Sequence, residues 1–127
     1  MAYGFDHTSH APIVVLWWRG ETSREALKAC LVELVTVFEG WTTPGRIIFD
    51  FSEVEGFDAE LRRLLASWRA TNRALIQEKV GAAAYVVTSR VVRGYMTAVD
   101  WLRPNRGLVK KVFSDRTSAV AWLEDEA

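Results

Sequence analysis

The chain has one cysteine, Cys30, so no internal disulfide can form, and Cys30 falls at a helical position that predicts a buried structural thiol rather than a nucleophile. Histidine is almost as scarce. His7 and His10 stand together as "HTSH" near the amino terminus, without the Cys or Glu neighbours that would complete a metal site, and they read as surface residues. No G-x-S-x-G elbow and no glycine-rich phosphate loop follows any strand, which removes the commonest serine-hydrolase and nucleotide signatures. The longest apolar run, "IVVLWW" at 13–18, is far too short to span a bilayer. The amino terminus also lacks a signal-peptide pattern, and a cytoplasmic location is expected. Net charge is absent as well: 16 basic residues balance 16 acidic ones.

Half of the 127 residues are apolar and a quarter are charged, the composition of a folded chain of one domain, 1–127, able to bury a core unaided. Neutrality hides an uneven distribution, with 10 acidic and 4 basic residues in 1–60 against 2 and 11 in 61–111. Such asymmetry either steers a partner or drives self-association, or it disappears when the faces intermix in space.

"APIVVLWWRG" is β-branched and aromatic and closes on Gly20, so it predicts a strand, with Trp17 and Trp18 on opposite faces. "YGFDHTS" before it gives a weak hairpin signal. From Thr22 or Ser23 the period becomes helical, with Leu27, Leu31, Leu34 and Phe38 on one stripe and Gly40 as the stop. "RIIFDF" is the next strand. One long helix is expected from Asp58 to Glu78, its stripe formed by Leu61, Leu64, Leu65, Trp68, Asn72, Leu75 and Ile76, its other face by Arg62, Arg63, Arg69 and Arg73. "GAAAYVVTS" then reads as an inner strand, Arg90 to Leu102 as a helix, "KKVFSD" as a last strand and "RTSAVAWLEDE" as a closing helix. The alternation predicts an α/β fold, a four- to five-stranded mostly parallel sheet with about four helices.

Asp50, in "IIFDFSEVEGFDAEL", holds the position of a phosphoacceptor, a metal ligand, a general base or a loop cap. A receiver-type phosphoaspartate needs companion carboxylates after the first strand and a lysine after a later one. Here the first strand ends in Trp18, Arg19 and Gly20, and no lysine follows "YVVTS". A structural role is favoured, with the carboxylate accepting backbone N–H groups of "FSEVEG" and Ser52 acting similarly.

The syntax "DFSEVEGFDAEL" resembles the signature of STAS domains, the superfamily of bacterial anti-sigma-factor antagonists, whose pattern is Asp-Leu-Ser-x-Val-x-x-Met-Asp-Ser-Ser-Gly. Asp50, Phe51, Ser52, Val54, Phe57 and Asp58 stand at the matching places. "WWRG", "VVTSRVVRGYMTAVDWL" and "VFSDRTSAVAWL" are similar to the divergent SpoIIAA-like, or STAS/SEC14-fold, branch. The resemblance implies a non-enzymatic regulatory protein-interaction module with no cofactor. The family's kinase-target serine is missing, because Ala59, Glu60 and Leu61 replace its Ser-Ser-Gly. Glu60 then either supplies one fixed negative charge where a phosphate would supply about two, or merely complements the helix dipole beside Asp58 as N-cap.

Two surfaces are expected to bind. The first joins Ser52, Glu53, Glu55, Asp58 and Glu60 with Arg90, Gly94 and Trp101 on the 90–102 helix, where Trp101 falls opposite the apolar stripe. Its partner is another protein or a second copy forming a homodimer, unless neighbouring segments cover Trp101. The alternative uses the basic 88–111 segment, with Thr88, Ser89, Arg90 and Arg93 holding a small anion or nucleotide at a helix start. Neither membrane nor nucleic acid is an expected partner, since the basic residues lack an aromatic platform or helix-turn-helix.

Overall fold

A computed structural model describes residues 2–55, 58–88 and 109–125. Five strands form one sheet in the order β1-β2-β3-β4-β5. They are β1 (Ala2–Asp6), β2 (Val14–Gly20), β3 (Gly45–Val54), β4 (Val80–Val86) and β5 (Val109–Phe113). Among the described residues only the β1–β2 pairing is antiparallel; β2–β3, β3–β4 and β4–β5 are all parallel. Four helices accompany them among the described residues: α1 (Arg24–Glu39), α2 (Ala59–Thr71), α3 (Arg73–Lys79) and α4 (Arg116–Asp125). The mostly parallel α/β arrangement is the one expected from the alternation, and the weak "YGFD" signal is a true edge strand.

Two apolar clusters lie on the two faces of the sheet. The first joins Leu16, Trp18, Ile47 and Ala83 to Leu27, Leu31, Leu34 and Phe38 of α1, Leu61 of α2 and Ile76 of α3. The stripe read from spacing is thus the buried face of α1, and each such side chain contributes roughly 1.5–3 kcal/mol by leaving water. Ser23 caps α1 by accepting the Ala26 N–H at 3.1 Å, and Gly40 ends it. The second cluster packs Ala119 and Leu123 of α4 on Ile13, Val15, Ile48, Ala82, Ala84 and Val86. Alanines on β4 let α4 approach closely. Trp18 is buried in the first cluster, whereas Trp17 points the other way, half-buried over Gly4, where a Cβ would sit 2.6 Å from its ring.

Two expectations are corrected. The helix expected over 58–78 is broken: α2 ends at Thr71, and α3 begins at Arg73. Asn72 leaves helical geometry with ψ of 19°, and its side-chain amide donates to the Trp68 carbonyl at 3.0 Å. This local bond competes with the helix ladder, as asparagine amides do. Leu61, Leu64, Leu65, Trp68, Leu75 and Ile76 still face the core on both sides of the break. The second correction concerns Asp50, which is not at the end of its strand. β3 continues to Val54, because β2 outruns β4 and pairs Arg19 with Glu53 and Gly20 with Val54.

Candidate functional site

Asp50 is the last residue of β3 to pair with β4, opposite Val86, and it lies on the α4 side of the sheet. Its side chain is only 6% exposed. Oδ1 accepts the Ser52 backbone N–H at 2.9 Å and the Ser52 hydroxyl at 2.6 Å. Oδ2 accepts the Arg116 Nε–H at 2.8 Å and lies 2.7 Å from Arg116 Nη2 in the same ion pair. Burial pushes the Asp50 carboxyl up, but the Ser52 hydroxyl, the Ser52 amide and the Arg116 guanidinium together hold it below the ordinary aspartate value. Both oxygens are therefore committed to internal partners.

The organising role expected of Asp50 toward Ser52 is present, and Arg116 is the partner that the sequence reading missed. A signal for it exists. An arginine at the first position of a helix opposes the macrodipole, so it needs a partner elsewhere in the fold. At the other end of α4 the Leu123 carbonyl accepts from Arg46 at 2.8 Å, satisfying an orphan acceptor of the last turn. Arg46 and Asp50 lie four residues apart on one face of β3, so one strand pins α4 at both ends.

The expected acidic residues gather where β3 leads toward α2. Glu53, exposed, pairs with Arg19 at 2.6 Å, and Arg19 stacks its guanidinium 4.8 Å from the Trp17 ring. Glu55 is exposed, and its N–H donates to the Gly20 carbonyl at 2.9 Å. Asp58 caps α2, accepting the Leu61 N–H at 2.9 Å. Glu60, in the first turn of α2, pairs with Arg24 of α1 at 2.9 Å. Charge of the two signs is thus partly intermixed in space. Thr88 is exposed just past β4, whereas Ser89, Arg90, Arg93, Gly94 and Trp101 lie outside the described residues. No three His, Cys, Asp or Glu side chains converge among the described residues.

The sequence profile of the family described as SpoIIAA-like matches residues 13–124, nearly the whole of this sheet and its helices. The chain belongs to the SpoIIAA-like family. Solved structures agree on the SpoIIAA-like fold. An uncharacterised protein of the DUF3478 family with a SpoIIAA-like fold, from Shewanella loihica PV-4, is similar with a TM-score of 0.70 and 16% identity, over 96% of this chain and 92% of that one. The anti-sigma factor antagonist SpoIIAA in its unphosphorylated form is similar with a TM-score of 0.62 and 14% identity, over 98% of this chain and 97% of that one. No protein of curated function matches the sequence significantly.

Proposed function

We propose that this SpoIIAA-like chain, as one module over residues 1–127, is a non-enzymatic, cytoplasmic regulatory part that works by binding another protein. Its docking surface includes the acidic rim of Ser52, Glu53, Glu55, Asp58 and Glu60, with Arg90, Gly94 and Trp101, which lie outside the described residues, as the further contacts expected from the sequence, and Glu60 stands where the family's kinase-target hydroxyl would be. The observation that carries this reading is the contrast between Asp50 and the rim. The chemistry open to a strand-borne aspartate is used up internally by Ser52 and Arg116, while Glu53, Glu55, Asp58 and Glu60 are all exposed on adjoining segments. A saturated carboxylate is a poor base or nucleophile, and an exposed acidic rim selects partners of opposite charge. Among the described residues no helix is long and apolar enough to cross a membrane.

The test compares tagged wild-type protein with a Glu53→Lys/Glu55→Lys variant in affinity enrichment from lysate, with light scattering to fix the oligomeric state. A defined partner, or a second copy, held by wild type and lost in the folded variant is the expected result. Identical captures by both proteins, together with a melting temperature raised several degrees by a phosphorylated metabolite, would transfer the function to the basic 88–111 segment.

A further inference from the structure

On the face of the sheet covered by α1, α2 and α3, the first apolar cluster does not close completely. A cavity of about 70 Å³ lies between the sheet and α1, α2 and α3. β4 contributes Val80, Ala83 and Tyr85 to its lining, and Ala83 is the smallest side chain among the lining residues. Two stacked pairs form the walls: Trp18 on Phe51, 4.5 Å between centroids and nearly coplanar at 3°, and Phe49 on Tyr85 at 5.1 Å. Trp18 and Ala83 are buried, whereas Phe49, Phe51, Tyr85 and Trp68 of α2 are half-buried, and the cavity is partly open.

Arg69, in the last turn of α2, is half-buried and lines this cavity. A cation there suits the helix dipole, but the dipole does not explain an arginine among lining residues that are otherwise all apolar or aromatic. The ion pairs formed among the described residues are Arg19 with Glu53, Arg24 with Glu60, Lys79 with Glu78, and Arg116 with Asp50. Arg69 takes no carboxylate in any of them. A partly desolvated guanidinium gains most from a planar anion that it can grip with two N–H groups.

We propose that this cavity binds a compact aromatic carboxylate, its ring between the two stacked pairs over Ala83 and its carboxylate on Arg69. Size selects the body of the ligand. Dry cavities of about 150 Å³ enclose a benzene; this one, at about 70 Å³ and open at its mouth, admits only part of a single ring, whose outer edge and charged group stay at the mouth. The walls favour an aromatic ring over an alkyl chain, because six aromatic side chains, Trp18, Phe38, Phe49, Phe51, Trp68 and Tyr85, line the cavity. The site is separate from the acidic rim and requires no protein partner.

The experiment uses the purified full chain and reads calorimetric affinity and melting temperature with phenylacetate, benzyl alcohol and decanoate as probes. Phenylacetate is expected to bind and to raise the melting temperature, with benzyl alcohol at least about tenfold weaker, the loss of one charge-assisted contact. Arg69→Gln is expected to bring phenylacetate down to the level of the alcohol. Ala83→Leu, which fills the floor, is expected to abolish binding of both. Absence of phenylacetate binding at millimolar concentration overturns the proposal, as does equal affinity for acid and alcohol or an affinity indifferent to Arg69→Gln. Decanoate binding as tightly as phenylacetate overturns the single-ring assignment. Arg69 is at the rim and its replacement leaves the core intact, so that comparison decides alone if Ala83→Leu does not fold.

Discussion

Arg116, the first residue of α4, grips the buried carboxylate of Asp50 through two nitrogens at 2.7 and 2.8 Å, 66 positions away in sequence. The contact fastens the closing helix to the middle of the sheet. Removing one partner of such a pair leaves the other buried and uncompensated, which costs about 3–5 kcal/mol when both are buried. Arg116 is 39% exposed, so water recovers part of the loss. Arg116→Ala is therefore expected to cost about 2 kcal/mol in urea unfolding. Asp50→Asn, which removes the charge itself and leaves the Ser52 contacts, is expected to cost less. The reverse order would mean that the Ser52 hydrogen bonds, and not the ion pair, hold this corner.

Acid should erase that difference. The folded-state value of Asp50 is held below its ordinary value by Ser52 and Arg116 against the opposing push of burial. A carboxyl depressed on folding stabilises the protein above its unfolded value, near 3.9, and that contribution is lost as the pH falls through the lower folded value. The gap between wild type and Arg116→Ala is thus expected to be full at neutral pH and to shrink as the pH falls below the unfolded value and through the lower folded one. Asp6, held well below the usual range by the Ser9 hydroxyl and the Ser9 and Thr8 N–H groups, is common to both proteins. Urea titrations of the pair at two pH values read the result directly.

The parts that local chemistry controls were legible from the residues alone. Leu27, Leu31, Leu34 and Phe38 repeat at helical spacing because one face of α1 must meet the sheet, and Ser23, Gly40 and Asp58 cap because their side chains or lack of one suit helix ends. The break at Asn72 was hidden, since the apolar stripe continues through it from Trp68 to Ile76 without a change of phase. The extent of β3 was hidden for another reason: its last four residues are strand only because β2 reaches as far. At the candidate site, Asp50 with Ser52 is a contact over two residues and could be read. Arg116 with Asp50 and Arg24 with Glu60 join distant segments, and only the mismatch of Arg116 with the helix dipole hinted at the first.

Cys30 should be chemically silent in the native protein. It is fully buried among Trp18, Leu27 and Leu34, and burial pushes its thiol up to about 12 against the smaller opposing pull of the Trp18 indole. Thiolate is the reactive form. Reaction with a disulfide reagent at neutral pH is therefore expected to be negligible in buffer and to run to one equivalent in denaturant. Rapid labelling of folded protein would show that α1 separates from the sheet in ordinary solution.

Glu60 and Arg24 form an exposed pair, each side chain more than half accessible, in which water and salt already screen most of the attraction. Glu60→Ser and Arg24→Ala are each expected to change unfolding stability by no more than about 0.5 kcal/mol. The cap on α2 survives both changes, because it belongs to Asp58 and the Leu61 N–H. These variants therefore alter charge at the start of α2 while leaving its backbone in place. Circular-dichroism melts superimposable on wild type would then assign any loss of partner in Glu60→Ser to the surface itself. A melting temperature lowered by many degrees would instead make Glu60 a structural brace between α1 and α2, and its negative charge would owe nothing to a missing phosphate.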